Sequence, residues 1–213
     1  MDYTSKMVAL MKSMRRERNG AVADAMCTSR SGLNYGVSLP TVREIARAEP
    51  KDYDFARMLW TQDVRELRLA ALHIADPQRF VPEEFAVWAE GIRDEELAEE
   101  TAFALLSHAP HFVDLFPLWI ASPMPLLRYA VLQGAARSAM TPMEWIAPAV
   151  AALSEAFSTH ENRLIANGVV AMLAALAQRD EAHKSAVRKV VKTLGDTPSA
   201  RYVAEEMEWR LEF

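Results

Sequence analysis

The stretch "GIRDEELAEETAFALL", Gly91–Leu106, packs four carboxylates into six positions: Glu95, Glu96, Glu99 and Glu100. On a helix, residues four apart share a face, so Glu95 stands beside Glu99 and Glu96 beside Glu100. A patch of this kind favours positive charge and repels phosphate. Cations of the opposite tendency recur elsewhere. Lys184, Arg188 and Lys192 fall every four residues in "AHKSAVRKVVK" (Ala182–Lys192), which suits phosphate contact and equally suits a solvent face. Arg43 and Arg47 form a second short strip, extended by Lys12, Arg15, Arg16 and Arg18 of "KSMRRER", a cluster that a solvated helix end explains equally well. In "NYGVSLPTVREIARAE" (Asn34–Glu49), Gly36 offers a positive φ and Pro40 starts a helix, so the turn reads as a tight connection, with the role of Tyr35 open.

Other chemistries find little support. His108 and His111 bracket Pro110 with only Asp114 nearby, which fits capping better than a metal site. There is no Ser-His-Asp order and no glycine-rich phosphate loop, and neither a cofactor nor a metal is expected. The single cysteine, Cys27, excludes an internal disulfide and reads as a small buried apolar residue in a reducing, cytoplasmic setting. The N-terminal segment sets its basic cluster after a short apolar stretch, the reverse of a secretory signal, and reads as part of the fold. No apolar run reaches the roughly 18–20 residues of a membrane span, and no membrane partner is expected. The formal net charge of −5 confines any nucleic-acid contact to local patches.

The elements that must position these residues are helices. From Asp52 to the last residue, apolar side chains repeat at three- and four-residue spacing, with breaks at Asp76-Pro77, Ala109-Pro110, Ser122-Pro123, Thr141-Pro142 and Thr197-Pro198. Thr61, Asp94 and Thr159 are the expected N-caps. The helices pair with a common phase. Leu67, Leu97 and Leu127 lie 30 residues apart, Leu164 continues the series, and Trp60 and Trp119 precede their leucines by seven and eight residues. Such repeats predict an all-α solenoid of HEAT-like helix pairs, a right-handed superhelix forming one domain over residues 1–213. Asp63 and Arg68 read as an ion pair of the ladder that joins such repeats.

"YGVSLPTVREIARAE" followed by "LWTQDVRELRLAALHIAD" resembles the AlkD-like DNA alkylation repair family of HEAT-like repeat proteins. The residues that carry the likeness are Tyr35, Gly36, Val37, Pro40, Arg43, Leu59, Trp60, Leu67, Arg68 and Ala70. The resemblance implies a cofactor-free monomer that cradles double-stranded DNA and excises cationic alkylated purines. A charged base leaves readily, so the protein need only hold the backbone and stabilise the sugar oxocarbenium ion with a carboxylate. Active relatives carry a tryptophan and, one turn later, an aspartate. These align with Glu95 and Glu99, which makes Glu99 the expected catalytic carboxylate. Arg128 matches the family's phosphate-gripping arginine, although Arg68 has the same phase as a structural residue. Tyr35, Arg43, Lys184 and Arg188 complete the expected DNA contacts. The loss of the tryptophan at Glu95 and the acidic helix suit an alternative: a non-catalytic scaffold that binds DNA structures or a protein partner.

Overall fold

The computed structural model describes residues 2–25 and 32–212, and among these there are thirteen α-helices, four short 3-10 turns and no strand beyond one isolated parallel bridge between Leu33 and Val64. Cys27 lies outside the described residues. Among the described residues no helix is long and apolar enough to cross a membrane. The chain falls into two compact units, Met1–Leu105 and Leu106–Phe213.

The first unit contains α1 (Tyr3–Arg16), α2 (Gly20–Ala25), α3 (Leu39–Arg47), α4 (Tyr53–Trp60), α5 (Arg65–Ile74), α6 (Phe85–Gly91) and α7 (Glu95–Ala104). Its centre is α5, all ten residues of which are buried, with α3, α4 and α7 packed around it. Asp52 caps α4 by accepting from the Phe55 amide at 3.0 Å, and Asp94 caps α7 by accepting from Leu97 at 2.9 Å. The aromatic core satisfies its own polar atoms: Trp60 Nε1 donates to the Val87 carbonyl at 3.1 Å, and Trp88 Nε1 to the Tyr53 hydroxyl at 2.9 Å.

The second unit contains α8 (Phe112–Ile120), α9 (Pro125–Arg137), α10 (Ile146–Ala151), α11 (Thr159–Ala177), α12 (Glu181–Val191) and α13 (Pro198–Glu212). Helices α9 and α11 form its tightest pair. A Cβ on Gly168 of α11 would lie 2.9 Å from Leu132 Cβ, so glycine is what allows this approach. Arg179 ties down the connection after α9, donating to the Thr141 carbonyl at 2.5 Å and the Ser138 carbonyl at 2.6 Å.

The repeat phase holds throughout: Leu67, Leu97, Leu127 and Leu164 are all buried, as are Trp60 and Trp119. Two caps differ from expectation. Thr61 terminates α4, its hydroxyl donating to the Met58 carbonyl, while Val64 begins α5. Ser158, one residue before Thr159, caps α11 in a reciprocal box with Glu161. Helix α7 stops at Ala104, ahead of the break at Ala109-Pro110, and a 3-10 turn follows at Leu106–His108.

Candidate nucleic-acid interface

The turn at Asn34–Val37 is built around a buried carboxylate. Glu66 on α5, fully inaccessible, accepts from the amides of Tyr35 at 3.1 Å and Val37 at 3.2 Å. Its neighbour Arg65 donates to the Val37 carbonyl at 2.9 Å and to Glu66 at 3.1 Å. Gly36 takes φ 70°, where a side chain would be strained, and a Cβ there would lie 2.1 Å from the Asn19 carbonyl oxygen. The two amides are therefore engaged inside the fold. Tyr35 is half-buried; its hydroxyl accepts from Arg15 Nε at 3.1 Å, and the guanidinium lies 5.3 Å from the ring centroid.

Helix α7 divides its carboxylates between two faces. Glu96 and Glu100 point into the unit, whereas Glu95 and Glu99 are exposed. Arg65 holds Glu96 with two bonds of 2.6 and 2.5 Å, and Arg43 holds Glu100 with two of 2.8 and 2.5 Å. Both are the planar, two-point pairs that a guanidinium forms best. Glu100 is also bonded to His73 Nε2. Burial pushes the Glu100 carboxyl upward, but hydrogen bonds from His73 and Arg43 outweigh it and bring it down to about 2. The Glu100 bond likewise raises the pKa of Arg43. Two of the four carboxylates in this patch are thus engaged in pairs with Arg43 and Arg65.

Arg43, expected at the DNA surface, is about 30% exposed and has its charge matched by Glu100. Arg68 makes the expected structural pair, with Asp63 at 3.1 Å, and also donates to the Trp60 carbonyl. Arg128 differs from Arg68 although it shares its phase. It is half-buried rather than buried, donates to the Ser122 carbonyl at 2.6 Å, and stacks 5.0 Å from the Phe157 ring centroid. Lys184 and Arg188 stand one turn apart on α12; Lys184 is half-buried, while Arg188 is exposed, caps α13 through the Leu211 carbonyl at 3.0 Å and faces Glu181 at 3.6 Å. Tyr35, Arg43 and Glu99 belong to the first unit, and Arg128, Lys184 and Arg188 to the second.

The sequence reading missed the framework of Arg65, Glu66, His73, Glu96 and Glu100. Its trace was present in "VRELRLAAL", where charges at 65, 66 and 68 interrupt a helix with no consistent polar side. A helix buried all round must pair such charges internally.

Comparison with known proteins agrees with this architecture. The family described as DNA alkylation repair enzyme matches residues 8–207. No curated protein matches by sequence. Among solved structures, the chain resembles one described as from a new family of proteins related to the HEAT-like repeat DNA glycosylases with affinity for branched DNA structures. The TM-score is 0.72 at 16% identity, covering 100% of this chain and 97% of that one. The all-α, HEAT-like repeat fold is therefore shared, and the chain belongs to the DNA alkylation repair enzyme family.

Proposed function

We propose that this protein binds duplex DNA and excises cationic alkylated purines, with Glu99 as the carboxylate that stabilises the sugar. The observation that carries this reading is the division of α7. Its inward carboxylates are locked to Arg43 and Arg65, which fixes the helix, and Glu99, which the resemblance aligns with the family's aspartate, is exposed. In the reaction the bond between C1′ and the base nitrogen breaks, and its electron pair neutralises the cationic base. Positive charge develops on the sugar, Glu99 offsets it, and water then adds to C1′ with loss of a proton. Arg128 is the phosphate clamp, pre-oriented by Phe157 and the Ser122 carbonyl. Lys184 and Arg188 add general attraction to the backbone. In this reading the protein works as a monomer in a reducing, cytoplasmic compartment.

The test is release of methylated purines from alkylated duplex DNA at low salt, by the wild type and by Glu99→Gln and Arg128→Ala. Release by the wild type that both substitutions reduce at least tenfold supports the reading; no release by the wild type overturns it. A second reading, the binding of DNA structures without excision, rests on the resemblance, which aligns Glu95 with the aromatic residue of active relatives. Salt-dependent binding of branched DNA by a protein that releases no base would select it.

A further inference from the structure

Helix α8 turns an apolar face outward. The exposed residues along it are Val113, Asp114, Pro117, Leu118 and, at its end, Ala121; Val113 is 44% and Leu118 61% exposed, and Asp114 alone is charged. The outer side of a surface helix is ordinarily polar. This face rests on a firm base, because Phe112, Phe116 and Trp119 are buried beneath it and the Trp145 ring lies parallel to that of Phe116 at 3.9 Å. That stack brings the 3-10 turn Met143–Trp145 alongside α8, where Met143 and Glu144 are exposed. No lysine or arginine occurs between Arg93 and Arg128 or between Arg137 and Arg163, so the charges of these two segments are acidic. Asp114 has the exposed His111 as a partner at 2.9 Å. Pro117, inside the helix, has no N–H to return to the Val113 carbonyl, which leaves a backbone acceptor without its usual helical donor beside Asp114.

Helix α1 has the complementary character. Leu10 and Met14 anchor it in the first unit, while its outward side carries Val8, 57% exposed, with Ala9, Lys12 and Arg16. Val8, Lys12 and Arg16 follow at four-residue spacing and share a face, and the helix contains no acid. We infer that the outward face of α8 is a docking surface for α1 of a second copy of this chain. Val8 would lie against Val113 and Leu118, with Lys12 and Arg16 drawn to Asp114 and Glu144. Apolar burial supplies the attraction, and the opposite charges set the orientation. One helix laid on one helix covers less than the roughly 1,600 Å² of a stable interface. The contact is therefore weak, and the dilute protein stays a monomer, in keeping with the function proposed above. Because the two surfaces differ, each joined copy retains one of them for a further neighbour, and the contact can repeat.

The experiment is sedimentation velocity of the full chain without DNA, over a concentration series at low salt, for the wild type, Val8→Asp, Leu118→Asp and an equimolar mixture of the two variants. The wild type is expected to self-associate with a Kd on the order of 100 µM. Each substitution buries an unpaired carboxylate in the contact and should weaken association at least tenfold. The mixture should associate again, because Leu118→Asp keeps an intact α1 and Val8→Asp an intact α8. Raising the salt should weaken the wild-type contact severalfold. Both changes lie at exposed positions, and unchanged unfolding midpoints would show that the fold is intact. A wild type that remains monomeric throughout overturns the inference and leaves the face to a different protein. Association lost in Leu118→Asp but kept in Val8→Asp also overturns it, since α8 would then pair with its own counterpart. A mixture that fails to associate overturns it as well. Because DNA takes no part, none of these outcomes bears on base excision.

Discussion

Two arginines of the first unit and two of the second have different principal partners. In the first, Arg43 and Arg65 bind carboxylates face to face, and in the second, Arg128 and Arg179 donate to backbone carbonyls. An ion pair cancels the field of its arginine, whereas a carbonyl orients the guanidinium and leaves its full charge in place. The first arrangement therefore serves cohesion, and the second leaves the charge of the arginine unmatched. Residue type alone does not distinguish the two, which is why Arg43 and Arg128 look like equivalent DNA contacts in the sequence.

The sharpest way to break this contrast is to remove the acid from a first-unit pair. Glu100→Ala leaves Arg43 and His73 without their common partner inside the fold, and should cost about 3 kcal/mol in a urea unfolding experiment. A loss below about 1 kcal/mol would show that the pair is not a structural tie. The same carboxylate sets a dependence on pH. Its folded value near 2 lies below the ordinary 4.5, so its contribution is fully present above about pH 4.5 and disappears as the pH falls from 4.5 towards 2. The shift corresponds to about 3 kcal/mol. Acid titration of stability should show this drop in the wild type and a much smaller one in Glu100→Gln.

For the second unit the expected effect is on binding. Arg128→Ala should lower duplex affinity about tenfold at low salt and reduce the slope of log K against log salt by about 0.9, one phosphate contact. The double change Arg43→Met with Glu100→Gln removes both partners of the matched pair, and should leave that affinity within about twofold. Equal losses in the two proteins would erase the distinction. The smallest effect concerns a neutral cap. Ser158→Ala opens the box at the start of α11 and should destabilise by about 1 kcal/mol, a change readable as a lowered unfolding midpoint.

The helices, their pairing and the buried leucine series were legible in the sequence because each follows from apolar spacing. Asp94 as a cap was equally plain, since its side chain needs only the amide three residues on. The rotational setting of α7 was not legible. It depends on Arg43 and Arg65, which lie 57 and 31 residues from their partners and carry no local signature. Trp209 illustrates the same limit from the other side: it is 64% exposed, although tryptophan in a helical array usually means core. For the candidate site, Glu99 and Arg128 are assigned by resemblance alone.

The hold of Glu66 on the turn at Asn34–Val37 has a consequence for hydrogen exchange. Surface turns ordinarily open on their own and trade their amide protons with water quickly. Here the amides of Tyr35 and Val37 end on a carboxylate inside the central helix, 31 and 29 residues further along the chain. They can be released only when α5 itself comes loose. The protons of this short connection should therefore exchange with the slow class of the helical interior, and the turn should melt with the core.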